Sequence, residues 1–244
     1  RVTLIKRIID IPMNLVLKIK KRFIRILKKM RVTLTFTELK RIKPISSVFG
    51  FDRGTPIDRY YIDRFLSLNS SIIKGTVLEI ADDTYSKKFG QPDIKQEILH
   101  FDDSNKKATI VGDLTKKQTL PSDKVDCFIC TQTFNFIFDV KSALEGSRYL
   151  LKDNGVLLAT VSGISQISRY DMDRWGDYWR FTDKSIKMLA EEAGFSKVEV
   201  IVFGNVLAAT AFLQGLAVED LPDRSLLDVI DPDYPVTIGI VAKK

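Results

Sequence analysis

Histidine and cysteine are nearly missing from these 244 residues: there is one histidine, His100, and two cysteines, Cys127 and Cys130. A four-ligand Cys/His zinc site cannot be assembled from that set. The two cysteines form a C-x-x-C in "KVDCFICTQ", an apolar run of strand character. Residues three apart on a strand point to opposite faces, so two buried free thiols in a reducing compartment are expected. Glycine-rich phosphate loops are also missing, since neither G-x-G-x-x-G nor G-x-x-x-x-G-K-[ST] occurs. The N-terminus has no apolar core followed by a small-residue cleavage site, which argues against a secretory signal peptide. The chain opens on Arg1 instead of methionine, as expected of a trimmed or excised piece. Only residues 200–218 approach the length of a membrane span, and Gly204-Asn205 divides them into "VEVIVF" and "VLAATAFLQGLA", read as a buried strand and helix.

What is present is a 45% apolar chain whose net charge of +7 is unevenly placed. Residues 1–31 carry 11 Lys/Arg against one acid, Asp10, while the rest of the chain carries 27 basic and 30 acidic residues. A nucleic-acid groove across the domain is therefore not expected, and the basic character belongs to one segment. After Pro12, "MNLVLKIKKRFIRILKKM" (13–30) places Val16, Ile19, Phe23, Ile26, Leu27 and Met30 on one helical arc. Lys18, Lys21, Arg22, Arg25, Lys28 and Lys29 fall on the other. Two readings follow: attachment to an anionic membrane surface, or packing on a neighbouring domain with a solvated basic face. Residues 1–48 read as this helical extension and 49–244 as one domain.

Beyond residue 49 the apolar period switches between strand and helix. Strands are expected at 76–81, 94–101, 108–112, 125–131, 155–161, 197–203 and 236–242. Helices are expected near 57–68, 86–90, 139–151, 183–193 and 205–219, with "KDNG" (152–155) as a turn. The alternation implies an α/β, doubly wound, seven-stranded Rossmann-like sheet covered on both faces. The last strand, following "DPDYP" with no helix between, is expected to enter antiparallel at the sheet edge.

Ligands in such sheets bind at the carboxyl ends of the strands. The first strand ends in Glu79-Ile80-Ala81-Asp82-Asp83-Thr84, the second in His100-Phe101-Asp102-Asp103, the third in Gly112-Asp113-Leu114 and the fourth in Thr131-Gln132-Thr133-Phe134. Asp102 lies 21 residues beyond Ala81, close to the spacing at which an acid meets a ribose diol. Asp113 is placed to accept from an exocyclic adenine amine. Two aspartates in the first loop would repel phosphate and attract a cationic amine or sulfonium. Adenosine without phosphates, beside a cationic end, describes S-adenosylmethionine (SAM). His100 reads as structural.

Several stretches together resemble the class I SAM-dependent methyltransferases, specifically the bacterial group associated with surface-polysaccharide and glycosyltransferase clusters. They are "DRGTPIDRYYIDRFL", "VLEIADDTYSKKFG", "ATIVGDL", "LPSDKVDCFICTQTFNFIFDV", "GVLLATVSGISQISRYDMDRWGDYWRFT" and "GNVLAATAFLQGLA", spanning roughly residues 50–235. The resemblance implies a first loop reading Gly-Asp-Asp-Thr-Tyr, so Asp83 and Tyr85 are group residues and Ala81 replaces a glycine. Its Cβ makes a positive φ costly, and weakened rather than abolished cofactor binding is expected. The resemblance also implies a sugar O-methyltransferase acting on a bacterial surface glycan or a lipid-linked saccharide precursor, in the cytoplasm and, through the basic helix, at the inner membrane. A glycosyltransferase neighbour is a further expected partner. A second reading is a non-catalytic module of the same fold that docks such a glycosyltransferase.

The loop at 162–182 is long enough to be functional. Its Arg169, Tyr170, Arg174, Trp175 and Tyr178 suit a carbohydrate acceptor, and Asp171 and Asp173 are the candidate bases. Ahead of the first strand, Tyr60 and Asp58 are expected to fold over the methionine end of the cofactor, with Arg53 on the acceptor side.

Overall fold

A computed structural model describes residues 40–244, so the amphipathic segment 13–30 lies outside the described residues. Seven strands form one sheet: β1 (Thr76–Ile80), β2 (Lys95–His100), β3 (Ile110–Val111), β4 (Val125–Thr131), β5 (Leu151–Ser162), β6 (Lys197–Phe203) and β7 (Thr237–Lys243). Their order is β3-β2-β1-β4-β5-β7-β6. Adjacent members of the β3–β5 half pair in parallel, while β7 runs antiparallel to both β5 and β6. The order reverses between β1 and β4, the place where doubly wound sheets open a crevice.

The helices are α1 (Ile57–Leu68), α2 (Thr84–Phe89), α3 (Val140–Leu150), α4 (Arg169–Met172), α5 (Asp183–Glu192) and α6 (Val206–Leu213). Strand side chains alternate between two packed layers. On one face Phe128, Cys130, Leu157 and Ile240 pack with Leu144 of α3 and Ile186 of α5. On the other, Val77, Cys127, Ile129, Leu158 and Phe203 pack with Tyr61 and Phe65 of α1 and Ala208 of α6. The two cysteines thus lie in opposite layers, free and buried. At Gly239 of β7 a Cβ would meet the Phe65 ring at 2.5 Å, so α1 seats on the sheet only because that position has no side chain.

Three expectations are corrected. First, β7 is not at the edge but between β5 and β6. The strand is buried along most of its length, as a strand paired on both sides must be. Second, the helix expected over 205–219 stops at Leu213. Asn205 caps its start by accepting from the Ala208 N–H at 2.9 Å, and Gly215, at φ 69, ends it. The following residues turn to meet Thr55 and Pro56. Third, β5 begins at Leu151, where a helix end and turn were expected, with Asn154 carried at φ 64. Among the described residues no helix is long and apolar enough to cross a membrane.

The chain is tied to this body from residue 45 onward. The Ile45 and Ser46 N–H groups donate to the Gln214 carbonyl at 2.8 and 3.2 Å. Arg53 grips Asp220 with Nε at 2.6 Å and Nη2 at 2.8 Å, both residues buried. Replacing one member of such a pair leaves the other charged and dry, which makes the pair structurally binding whatever its net worth.

Candidate active site

The strand exits open into a cavity of about 1160 Å³. At the exit of β1 the backbone turns sharply: Ala81 takes φ 67, its N–H donates to the Leu99 carbonyl at 3.0 Å, and its own carbonyl accepts from Asn105 Nδ2 at 2.7 Å. Glu79, two residues earlier in β1 and only 3% exposed, reaches α2. Its Oε1 accepts from the Tyr85 N–H at 3.0 Å and its Oε2 from the Ser86 N–H at 2.8 Å. Burial pushes this carboxyl up to about 7, against the pull of those two N–H groups.

That arrangement decides what the loop can hold. In dinucleotide-binding folds the helix after the first strand offers its unpaired N–H groups to a pyrophosphate. Here the chain's own carboxylate takes them. Asp82 and Asp83 add negative charge beside it, Asp82 accepting from the Thr84 N–H at 3.0 Å and Asp83 pairing with Lys87 at 2.7 Å. The usual phosphate seat at the start of α2 is thus taken, and a phosphate-free nucleoside with a positive end is compatible.

At the other exits, Phe101 of the β2 end and Gly112, Asp113 and Leu114 of the β3 end line the cavity. Asp113 is engaged by Thr115 (N–H 2.9 Å, Oγ1 2.8 Å) and by Lys116 at 3.0 Å. Asp102 stands outside the cavity wall. Its Oδ1 accepts from the Ser104 N–H and hydroxyl and meets His100 Nδ1 at 3.1 Å, while no described residue engages Oδ2. Those Ser104 bonds hold its carboxyl below the usual range.

Thr131, Gln132 and Thr133 at the β4 exit all line the cavity. Gln132 is strained at φ 48; its Oε1 accepts from Ser162 Oγ at 2.7 Å, and its buried Nε2 has no partner among the described residues. Asn135, 2% exposed and also in the wall, has an unpartnered Oδ1. Buried amides left this way mark places where a ligand or water supplies the missing bond.

The 162–182 loop roofs the cavity. Asp177, buried, accepts from Arg180 Nη1 (2.6 Å) and Nη2 (2.9 Å) and from the Ser168 N–H (2.9 Å). Arg180 also donates to the Gln166 carbonyl at 2.6 Å. The Asn135 carbonyl accepts from the Tyr178 N–H at 2.9 Å, binding the loop to the β4 exit. Trp175 reaches across to meet Phe101 edge-on at 6.3 Å, and Arg174 stacks on Tyr170 at 3.4 Å. Arg169, Tyr170, Arg174, Trp175 and Tyr178 all line the cavity as the loop's composition suggested.

Other expected site residues are placed elsewhere. Arg53, buried against Asp220, does not reach the cavity, which corrects its acceptor role. Tyr60 donates its hydroxyl to Asp228 at 2.7 Å on the outer surface, and Asp83 and Thr84 also lie off the wall. Asp173 is exposed at the end of α4 and lines nothing. Asp171 does line the cavity, but its Oδ2 accepts from Ser168 Oγ at 2.6 Å and its Oδ1 from Trp175 Nε1 at 3.1 Å. Both Asp171 oxygens thus accept from the loop's own donors, while Asp173 lies away from the wall. Residues that sequence reasoning did not assign include Arg59, Asn135, Gln166 and Arg180. Gln166 and Arg180 lie in the 162–182 loop already read as functional, and Asn135 is one residue beyond the stretch followed at the fourth strand end.

No family model matches the sequence, and no curated protein matches it. Among solved structures, a SAM-dependent methyltransferase from Archaeoglobus fulgidus is similar at a TM-score of 0.50 and 14% identity, over 76% of this chain and 94% of that one. One from Mesorhizobium loti is similar at a TM-score of 0.50 and 14% identity, over 77% and 98%. A third, from Bordetella parapertussis and described as a possible exported protein, is similar at 0.51 and 12% identity, over 89% and 77%. At such identities the likeness is one of architecture: this chain has the fold of the SAM-dependent methyltransferases.

Proposed function

We propose that the chain is a SAM-dependent methyltransferase that O-methylates a sugar of a bacterial surface glycan or of its lipid-linked precursor. The observation that carries the cofactor half is Glu79 seated on the Tyr85 and Ser86 N–H groups, which removes the phosphate seat and leaves an acidic, nucleoside-sized exit at β1. Ala81, Asp82, Phe101, Asp113, Leu114, Thr131, Gln132 and Thr133 would hold the cofactor. SAM would supply an electrophilic methyl group on a positively charged sulfur. The acceptor half rests on the roof loop: the faces of Tyr170, Trp175 and Tyr178 suit sugar rings, and Arg169 offers donors to their oxygens. The basic segment 13–30 would bring the domain to an anionic membrane carrying the acceptor.

The test of the cofactor half is thermal unfolding with S-adenosylhomocysteine, the demethylated product. Ligand at about a hundred times its Kd should stabilise by roughly 2.7 kcal/mol, a rise of a few degrees in Tm. No rise at millimolar ligand would overturn the enzyme reading and leave the docking module.

A further inference from the structure

Six carboxylates line the cavity: Asp58, Glu79, Asp82, Asp113, Asp171 and Asp177. In four of them both oxygens accept from the protein. Glu79 takes two backbone N–H groups, Asp113 takes Thr115 and Lys116, Asp171 takes Ser168 and Trp175, and Asp177 takes Arg180 and Ser168. Asp82 is exposed to water. Asp58 is different. It stands in the first turn of α1, and its Oδ1 accepts from the Arg59 N–H at 2.8 Å. It forms no ion pair among the described residues, because the neighbouring guanidinium of Arg59 is turned to the Tyr85 hydroxyl at 2.9 Å.

The Arg59–Tyr85 bond also fixes where Asp58 sits. Tyr85 belongs to α2, whose N-terminus Glu79 holds, so the first turn of α1 is clamped over the exit of β1. The proposed function seats the cofactor at this exit, and the inference rests on that reading. Burial raises the Asp58 carboxyl above its usual range, the direction that favours holding a proton.

We propose that Asp58, a cavity-lining carboxylate, is the catalytic base and accepts the acceptor's hydroxyl proton. In the step, the acceptor oxygen forms a bond to the methyl carbon as the carbon–sulfur bond breaks and leaves its electron pair on sulfur. The proton lost by that oxygen passes to Asp58 and from there to water. A carboxylate so placed supplies both the proton acceptor and a negative charge beside the reacting centre.

Two ligands separate this role from others without any acceptor. S-adenosylhomocysteine is neutral at sulfur, whereas sinefungin carries an ammonium group on the carbon that replaces it, next to the transfer point. Calorimetric Kd values at about pH 8 should show wild-type protein preferring sinefungin, with the preference reduced about tenfold in Asp58→Asn. S-adenosylhomocysteine should bind both proteins within about twofold. Asparagine keeps the acceptor for the Arg59 N–H, and Asp58→Ser serves if the first variant does not fold. An unchanged preference would overturn the proposal. An equal loss for both ligands would also overturn it and place Asp58 at the amino-acid end. Binding of neither ligand to the wild type would overturn the SAM reading, and this inference with it.

Discussion

At φ 67, Ala81 keeps its backbone in the left-handed region, where a Cβ costs about 1–2 kcal/mol relative to glycine. The conformation is held by the Leu99 carbonyl on one side and Asn105 on the other, so the strain is retained. Replacing Ala81 by glycine relieves it, while the unfolded chain gains freedom worth about 0.4–1 kcal/mol in the opposite direction. The strain is the larger effect, so Ala81→Gly should stabilise by about 0.5–1 kcal/mol. Urea denaturation with an unchanged m-value reads this directly, and a lower midpoint would show that the loop has no strain to release. The sequence alone identified this position, because the resemblance placed a glycine there. The φ angle supplies the physical reason.

Among the elements, the roof loop depends on one buried ion pair more than on its short helix α4. Removing the guanidinium in Arg180→Ala leaves Asp177 buried without a cation, at an expected cost of about 3 kcal/mol. The loss should be local. Amide exchange at Ser168 and Gln166 should accelerate, while Phe128 and Ile129 in β4 stay protected; uniform acceleration would mean that the loop supports the whole sheet. Elements with clear periodicity were legible in advance: β1, β4, β6 and α1 fall where the apolar pattern puts them. The place of β7 was not, because strand order is set by pairing partners far away in sequence. Its near-continuous apolar run, "VTIGIVA", was nonetheless the mark of a strand covered on both sides. The end of α6 was legible in Gly215, which the expected helix ran through and which takes φ 69. At the site, strand-end residues were legible from topology. The proposal of Asp58 in place of Asp171 was not, since it turns on which carboxylate oxygens already accept from the protein.

For the molecule as a whole, charge is divided between a basic beginning and a slightly acidic body. Attachment through residues 13–30 predicts that the full chain floats with liposomes containing anionic lipid and less well with neutral ones. It should float poorly once residues 1–31 are removed, and salt should weaken what remains of the electrostatic part. Flotation unchanged by that deletion would remove the membrane from the proposal.

The antiparallel return of β7 has a consequence for orientation. Because that strand runs against its neighbours, Lys244 is sewn in at the far pole of the sheet, its N–H on the Gly155 carbonyl and its Nζ beside Asp123. Ser47, Val48, Phe49 and Phe51, near the other end of the described chain, stand in the cavity wall. The cavity mouth and Lys244 therefore stand at opposite poles of the sheet, and a label placed on Lys244 reports on the molecule without approaching the site.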